Sequence, residues 1–151
     1  MRIKNVLRSK KGFSLIEIAI GILIISMLVG SITAVAGMIT KAKVQHETDT
    51  VNALVSAAHN YLNVSQTTYS GVTLSVLQSD NYLSNALNIT NGNSWGGSYT
   101  VAPNATVNTS VDITLGNIPD AATATLLTNN FQSLATCVYD ATALTWTATF
   151  Q

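Results

Sequence analysis

Cysteine is almost absent from the sequence, which holds a single one, Cys137, among 151 residues. With one thiol the chain can form no internal disulfide, and a structural zinc site lacks the set of ligands that it needs. A lone cysteine in a predicted strand is most often a small buried hydrophobe. A disulfide between two molecules is the alternative use of this residue.

Charged residues are also scarce, at 9% of the chain against the ~25% typical of soluble domains. Every lysine and arginine lies at or before Lys43. Neutralising the phosphates of a nucleic acid requires a surface of lysine and arginine. We therefore expect no direct nucleic-acid binding by the C-terminal part of the chain. The charged residues beyond Lys43 are all acids: Glu47, Asp49, Asp80, Asp112, Asp120 and Asp140.

Two common catalytic or metal-binding patterns are missing as well, since the sequence has neither a phosphate-binding loop nor an H-E-x-x-H motif. His46 and His59 do not have the spacing of a helical metal-ligand pair, so we predict two exposed or half-buried helix residues. Trp95 and Trp146 are predicted to belong to the core. No catalytic residue, cofactor or metal is predicted, and we do not expect an enzyme. The later acids have simple local roles: Asp112 as a strand-edge charge, Asp120 as a helix N-terminal acid and Asp140 as a turn former.

A long apolar run follows a short basic N-terminus. Residues 1–12 carry five positive charges and no acid, whereas residues 18–40 are 23 positions without a charge. As a helix, this run spans about 35 Å, enough to cross the ~30 Å hydrocarbon core of a bilayer. The basic residues favour a cytoplasmic N-terminus. We therefore assign residues 13–40 to a membrane-spanning half of a helix.

The helix is predicted to continue beyond the membrane, because residues 41–63 contain no proline or glycine and their apolar side chains recur every three or four residues. Polar residues fill the positions between them, so this half is amphipathic and is expected to cover a sheet. The apolar stripe consists of Val44, Val51, Leu54, Val55, Ala58, Tyr61 and Leu62, and the polar positions are Gln45, His46, Thr48, Asp49, Asn52 and Asn60.

Residues 64–151 are predicted to form a globular head of class α+β, in which the long helix packs on a small antiparallel sheet. Residues 74–87 indicate a short helix or two turns. Alternation predicts strands at 98–102, 111–116, 134–139 and 144–150. Between the second and third strands we predict a helix with Pro119 at its first position and Asp120 in its first turn. Its apolar positions are Ala124, Leu127, Phe131 and Leu134.

One interpretation of the N-terminus is an ordinary secretory signal peptide. Ala34-Val35-Ala36 is a small-x-small site after an apolar run, and cleavage after Ala36 would release a soluble domain of about 115 residues. Two observations oppose it. Signal peptides have apolar cores of about 7–15 residues, shorter than this run, and cleavage there would cut a helix whose pattern continues unbroken.

The stretch KKGFSLIE, residues 10–17, resembles the processing site of type IV pilins and pseudopilins: a basic pair, a glycine, a phenylalanine and an acid at the fifth position after the glycine. The resemblance implies that a membrane peptidase removes residues 1–12 by cutting between Gly12 and Phe13, and that the new N-terminus at Phe13 is N-methylated. The mature chain then keeps two cationic side chains, Lys41 and Lys43, against seven acids.

The same resemblance implies a role for Glu17 in assembly. An acid inside an apolar segment is costly, by roughly 2.5–3.5 kcal/mol at the centre of a spanning helix. Cleavage creates an ammonium on Phe13, and the carboxylate of Glu17 is expected to pair with the ammonium of a neighbouring subunit in a staggered helix bundle. Small residues spaced by four allow helices to approach closely in lipid, so Ser26, Gly30 and Ala34 are predicted assembly positions.

The head is similar to type IVb pilins and the pilins of conjugative thin pili, over LQSDNYL (77–83), NSWGGSYTV (93–101) and VDITLGNIP (111–119). It departs from them in having one cysteine where relatives have two. The resemblance implies the structural subunit of a type IV pilus, held in the inner membrane as a precursor and then assembled as an extracellular homopolymer. Its expected partners are copies of itself, the prepilin peptidase and N-methyltransferase, the inner-membrane pilus assembly machinery and membrane lipid. A minor pilin or pseudopilin of a secretion or DNA-uptake machine is the alternative.

Overall fold

The computed structural model describes residues 14–151 apart from residues 66, 85, 86 and 88. Gly12 and Phe13 lie outside the described residues. Along the described chain the elements are α1 (Leu15–Ser65), α2 (Leu74–Ser79), β1 (Tyr99–Pro103), β2 (Val111–Leu115), α3 (Ala121–Phe131), β3 (Ala135–Asp140) and β4 (Thr145–Phe150). The long helix that the sequence predicts is confirmed, and its C-terminal end lies two residues beyond the expected Asn63.

The chain divides into two compact units, Met1–Ile39 and Thr40–Gln151, and helix α1 contributes residues to both. In the first unit the described side chains are almost all exposed; Leu15, for example, retains 86% of its accessible surface. By length and composition this helix is able to cross a membrane. Every strand of the described residues, and the hydrophobic core that they form, belongs to the second unit.

The sheet has four strands in the order β1-β2-β4-β3, and every neighbouring pair is antiparallel. Helix α3 leads from β2 to the edge strand β3, and β4 then returns to the interior of the sheet. One face is buried because alternate side chains of the two inner strands point into the core. These inward residues are Val111, Ile113, Leu115, Trp146, Ala148 and Phe150, as the strand patterns predict.

The second half of α1 covers this face with the predicted apolar stripe. Val51, Leu54 and Ala58 are fully buried, and Val55 and Leu62 lie at the rim of the core. Thr48 was expected on the polar face of the helix, but it is buried as well. Its hydroxyl donates to the carbonyl of Val44 at 2.8 Å and accepts from the amide of Asn130 at 2.9 Å, so its polarity is satisfied inside. The α+β arrangement is confirmed.

Helix α3 begins later than predicted. Asp120 is its N-cap in extended backbone, and the carboxylate accepts from the N–H of Thr123 at 2.7 Å. An N-cap residue has a non-helical backbone, while its side chain accepts from an N–H of the first turn, so Asp120 itself lies outside the regular helix. Pro119 therefore precedes the helix instead of opening it.

Leu134 and Leu144 were expected in regular elements and lie outside them. Helix α3 ends at Phe131, and Leu134 is 65% exposed just before β3. Leu144 has a positive φ of 53° at the end of the β3–β4 turn, which sets it outside the alternation of β4. Where a short helix or two turns were predicted at 74–87, the described residues form a helix at Leu74–Ser79, with Thr73 as its N-cap.

Candidate assembly site and head anchor

At the start of helix α1, the side chains of Ser14 and Glu17 both accept hydrogen bonds from backbone N–H groups. The backbone N–H of Ser14 donates to Oε2 of Glu17 at 2.8 Å, and the N–H of Ile16 donates to the hydroxyl of Ser14 at 3.4 Å. This is close to a capping box, in which a serine and an acid three residues later satisfy N–H groups at the helix start. The carboxylate also complements the positive end of the helix dipole.

This geometry places the Glu17 carboxylate one residue from the predicted cleavage site. Ser14 is the residue that follows Phe13 in the chain, and its N–H is the group that Glu17 binds. An amine released at Phe13 would therefore be a covalent neighbour of the amide that already holds the carboxylate. Glu17 is exposed in the described structure, so it also remains accessible to another molecule.

Ser26, Gly30 and Ala34 follow one another at four-residue intervals along α1. The hydroxyl of Ser26 donates to the carbonyl of Ile22 at 2.8 Å, so its polar group is satisfied within its own helix. A Cβ added at Gly30 would meet no atom within 4 Å, so the surface there is open. The structure therefore leaves a shallow, open surface at Ser26 and Gly30.

A second group of residues, centred on Glu47, was missed by the sequence predictions. Glu47 is completely buried on α1. Its Oε1 accepts from the backbone N–H of Ser94 at 2.8 Å and from the Ser94 hydroxyl at 2.6 Å, and its Oε2 accepts from the hydroxyl of Tyr99. We call Glu47, Ser94 and Tyr99 the head anchor, because they tie helix α1 to the loop before β1 and to β1 itself.

A signal for Glu47 was present in the sequence. The buried positions 44, 47, 51, 54, 58 and 61 of α1 alternate in steps of three and four, and Glu47 occupies one of them. An acid in the apolar stripe of a helix predicts a buried partner, since an unpaired buried charge is costly. The partners, Ser94 and Tyr99, are about fifty residues away in the chain and could not be identified from spacing.

Several hydrogen bonds of Asn93 fix the shape of the loop that carries Ser94. Oδ1 of Asn93 accepts from the N–H groups of Trp95 and Gly97, both at 2.9 Å, and its amide donates to the carbonyl of Gly116. A Cβ at Gly97 would lie 2.0 Å from the Gly116 carbonyl oxygen, so only glycine fits there. Trp95 packs at the rim of the core, and Trp146 is fully buried.

Residues 92–96 also match the letters G-x-S-x-G, the nucleophile elbow of α/β-hydrolases. The structural context differs from that motif, which requires a sharp turn between a strand and a helix. Ser94 lies in a turn that leads into β1, and its hydroxyl donates to the Glu47 carboxylate. The serine therefore serves as an anchor for the acid in this fold.

The anchor changes the acidity of the tyrosine. Burial raises the pKa of Tyr99 well above its usual range, and the hydrogen bond to Glu47 and the negative charge of that carboxylate raise the pKa further. The phenol is thus held in its neutral, donating form. Deprotonation of Tyr99 would place two negative charges in contact and break this hydrogen bond.

The acids of the head make separate local contacts. Asp112 is not a strand-edge charge, because it lies on the inner strand β2 and accepts from Asn104 and Thr149. Asp140 accepts from the N–H of Thr142, as expected of a turn former. Hydrogen bonds from Thr123 lower the pKa of Asp120. Among the residues that the structure describes, no three histidine, cysteine or acidic side chains form a metal-binding group.

Two family models match the chain. The model described as prokaryotic N-terminal methylation motif matches residues 7–33, which include Gly12, Phe13 and Glu17. The model described as PilS N terminal matches residues 41–145, more than two thirds of the chain. No curated protein and no solved structure matches it.

Proposed function

Because this chain belongs to the PilS N-terminal family and is a type IV pilin, we propose that it is the structural subunit of a type IV pilus. In this proposal a prepilin peptidase cuts between Gly12 and Phe13, Phe13 is N-methylated, and the mature chain polymerises into an extracellular fibre. Its activity is assembly. Adhesion, aggregation, motility or conjugative contact would be properties of the fibre.

The exposed apolar half of α1 is the observation that carries this proposal. From Leu15 to Ile39 the helix has no charge other than Glu17, and large apolar side chains all round it are exposed. Such a surface requires an apolar environment. Lipid provides it for the precursor in the inner membrane, and the α1 helices of other subunits provide it in a fibre.

Glu17 would set the stagger between subunits. In an apolar bundle, an unpaired carboxylate and an unpaired ammonium are each costly, and removing one partner of a buried ion pair costs about 3–5 kcal/mol. A subunit whose Glu17 meets the Phe13 ammonium of a neighbour avoids this cost only in one axial register. Methylation of the amine keeps its positive charge, so the pairing survives the modification.

The N-terminal mass of the mature protein, measured on purified fibres, tests the proposal. N-methylated Phe13 is the expected first residue. A chain that begins at Gly37 would instead support the secreted domain cleaved after Ala36, and a retained Met1 would contradict processing altogether. The share of this chain in the purified fibres separates a major subunit from the minor pilin or pseudopilin alternative, because a minor subunit would be rare in them.

Replacement of Gly12 provides a second test. Gly12→Ala should leave the leader attached and abolish fibres. Gly21→Ala is the matched control, since a Cβ at Gly21 meets no atom within 4 Å, and it should be processed normally. Normal processing of both variants would contradict a cleavage site at Gly12.

A further inference from the structure

Strand β3 (Ala135–Asp140) forms one edge of the sheet and has a neighbour, β4, on one side. Within the described part of the chain, no other strand pairs with β3, and no backbone hydrogen bond from a loop or helix reaches the strand. The outer N–H and C=O groups of an edge strand are a template for another strand. This free edge of β3 is available to a partner.

Proteins usually protect such an edge with lysine, proline, a bulge or a covering element. The opposite edge strand, β1, ends at Pro103 and has helix α2 beside it. Helix α3 lies beside β3, but within the described residues it makes no backbone hydrogen bond to this strand. Strand β3 has no proline or cation, and its pairing with β4 is unbroken over six residues. Its exposed face carries Val138, which is 63% exposed, and the apolar Leu134 lies exposed just before it.

We propose that the free edge of β3 pairs antiparallel with the free edge of β3 in a second copy of this chain, joining heads on two different fibres. This rests on the proposed function. A strand paired antiparallel with itself gives a two-fold, self-complementary contact. Such a contact is complete with two heads, because it uses the same edge on both, and it cannot build a fibre by itself. It would therefore join neighbouring fibres laterally. Many copies along each fibre would act together and strengthen a weak individual contact.

The distribution of charge is compatible with a second copy, which the proposed fibre supplies in large number. A two-fold axis perpendicular to the sheet keeps the inner faces of the two heads on one side when it passes beside a single residue of β3. The two central residues of this six-residue strand are Cys137 and Val138, so the contact is centred on one of them. Asp140, the acid of β3, then lies opposite Leu134 or Thr136 of the second copy, both neutral. Although the charged residues beyond Lys43 are all acids, no two acids of β3 face each other in either register.

Lateral association of fibres carrying Val138→Lys tests the contact. A lysine on an edge opposes strand addition. The variant should therefore give a normal fibre yield, and its number of bundles should fall by about ten-fold or more. Electron microscopy and low-speed sedimentation measure both. Thr100→Lys, on the exposed face of β1, is the matched control and should bundle like the wild type. Wild-type fibres that do not bundle, or Val138→Lys fibres that bundle normally, would overturn the contact. A wild type without any fibres would overturn the proposed function instead.

Disulfide trapping provides an independent measurement that does not depend on bundling. Two fibre preparations with different tags are mixed and treated with a thiol oxidant such as diamide. Disulfides between the two tags are expected either through native Cys137 or through Cys137→Ala/Val138→Cys, depending on the register. Cys137→Ala/Thr100→Cys should give none. If neither native Cys137 nor the cysteine of Cys137→Ala/Val138→Cys forms a disulfide between the two tags, pairing at β3 is contradicted. Equal trapping through Thr100→Cys would contradict it as well.

Discussion

The carboxylate of Glu47 on helix α1 accepts a hydrogen bond from the phenolic hydroxyl of Tyr99 on strand β1. Glu47 also accepts two hydrogen bonds from Ser94, so its two oxygens have three donors in the head. These contacts fix where the amphipathic half of the helix lies on the sheet. The pilin head therefore depends on a polar anchor as well as on its apolar stripe.

A fragment beginning at Thr40 should be soluble and folded. The compact unit Thr40–Gln151 contains the four strands and all the core residues, and it omits the exposed apolar half of α1. We expect a cooperative thermal transition and a monomeric mass in solution, measured by circular dichroism and light scattering. An aggregated or unfolded fragment would show that the head needs the first half of the helix.

Glu47→Ala should destabilise that fragment by at least about 2–3 kcal/mol, since the donors of Ser94 and Tyr99 lose their buried acceptor. Glu47→Gln should cost less, because one acceptor oxygen remains. Asp49→Asn is the control on the same helix, where an exposed carboxylate accepts from Gln45. The free energy of unfolding in urea provides the measurement, and equal values for Glu47→Ala and Asp49→Asn would contradict the anchor.

Alkaline pH should destabilise the head. The pKa of Tyr99 is raised in the folded state, whereas an unfolded tyrosine titrates near 10, so above about pH 10 the unfolded chain releases a proton that the folded chain retains. The stabilisation is therefore complete below pH 10 and is lost as the pH rises further. Burial raises the pKa values of Tyr69 and Cys137 in the same direction.

In unfolding measurements at several pH values, Tyr99→Phe should show a shallower alkaline loss of stability than the wild type. Glu47→Gln should also reduce the loss, because it removes the adjacent negative charge. An unchanged slope in both variants would show that Tyr99 is not responsible.

Tyr69→Phe should stabilise the head or leave it unchanged. Tyr69 is buried, and its hydroxyl has no hydrogen-bond partner among the residues that the structure describes. Removing a buried unsatisfied hydroxyl is expected to increase the free energy of unfolding by up to about 1 kcal/mol. Tyr61→Phe is the matched comparison, since the Tyr61 hydroxyl donates to the carbonyl of Ser70 at 2.9 Å, and it should destabilise by about 1 kcal/mol. Chemical unfolding of both variants provides the measurement, and a loss of stability in Tyr69→Phe as large as that in Tyr61→Phe would contradict the prediction.

Glu17→Gln should separate helix capping from subunit pairing. A glutamine can still accept from the N–H of Ser14, as in other capping boxes, but it carries no charge for a neighbouring ammonium. We expect normal levels of processed subunit in the membrane and about a ten-fold or greater loss of fibres, because the buried ammonium of Phe13 loses its partner. Wild-type fibre yield from Glu17→Gln would remove the proposed pairing and leave only the cap.

The elements of this fold with strong periodicity could be predicted, and those that depend on distant contacts could not. The continuous stripe on α1 and the alternation at Val111, Ile113 and Leu115 both led to the observed elements. The order of the strands requires knowing that β4 inserts between β2 and β3, a long-range pairing that local patterns do not contain. The predicted start of α3 was wrong because the capping aspartate, Asp120, and not the proline, sets the start of the helix.

The assembly positions and the anchor differ in the same way. Glu17 is predictable because it is a single charge in an apolar run, and its contact with Ser14 is local in sequence. Glu47 has polar neighbours in the sequence, so its charge is not distinctive, and only its position in the apolar stripe is anomalous. A buried acid in an amphipathic helix becomes visible only when position and chemistry are considered together.

The position of β4 has a consequence for synthesis. Among the described strands, β4 comes last in the chain yet is an inner strand, and without it β2 and β3 have no hydrogen-bonded connection. A polypeptide that terminates before β4 would therefore leave two separate strand edges open and a gap beneath α3 where Trp146 belongs. Synthesis through β4 is thus a condition for closing the sheet, and products truncated before it would be exposed to proteolysis.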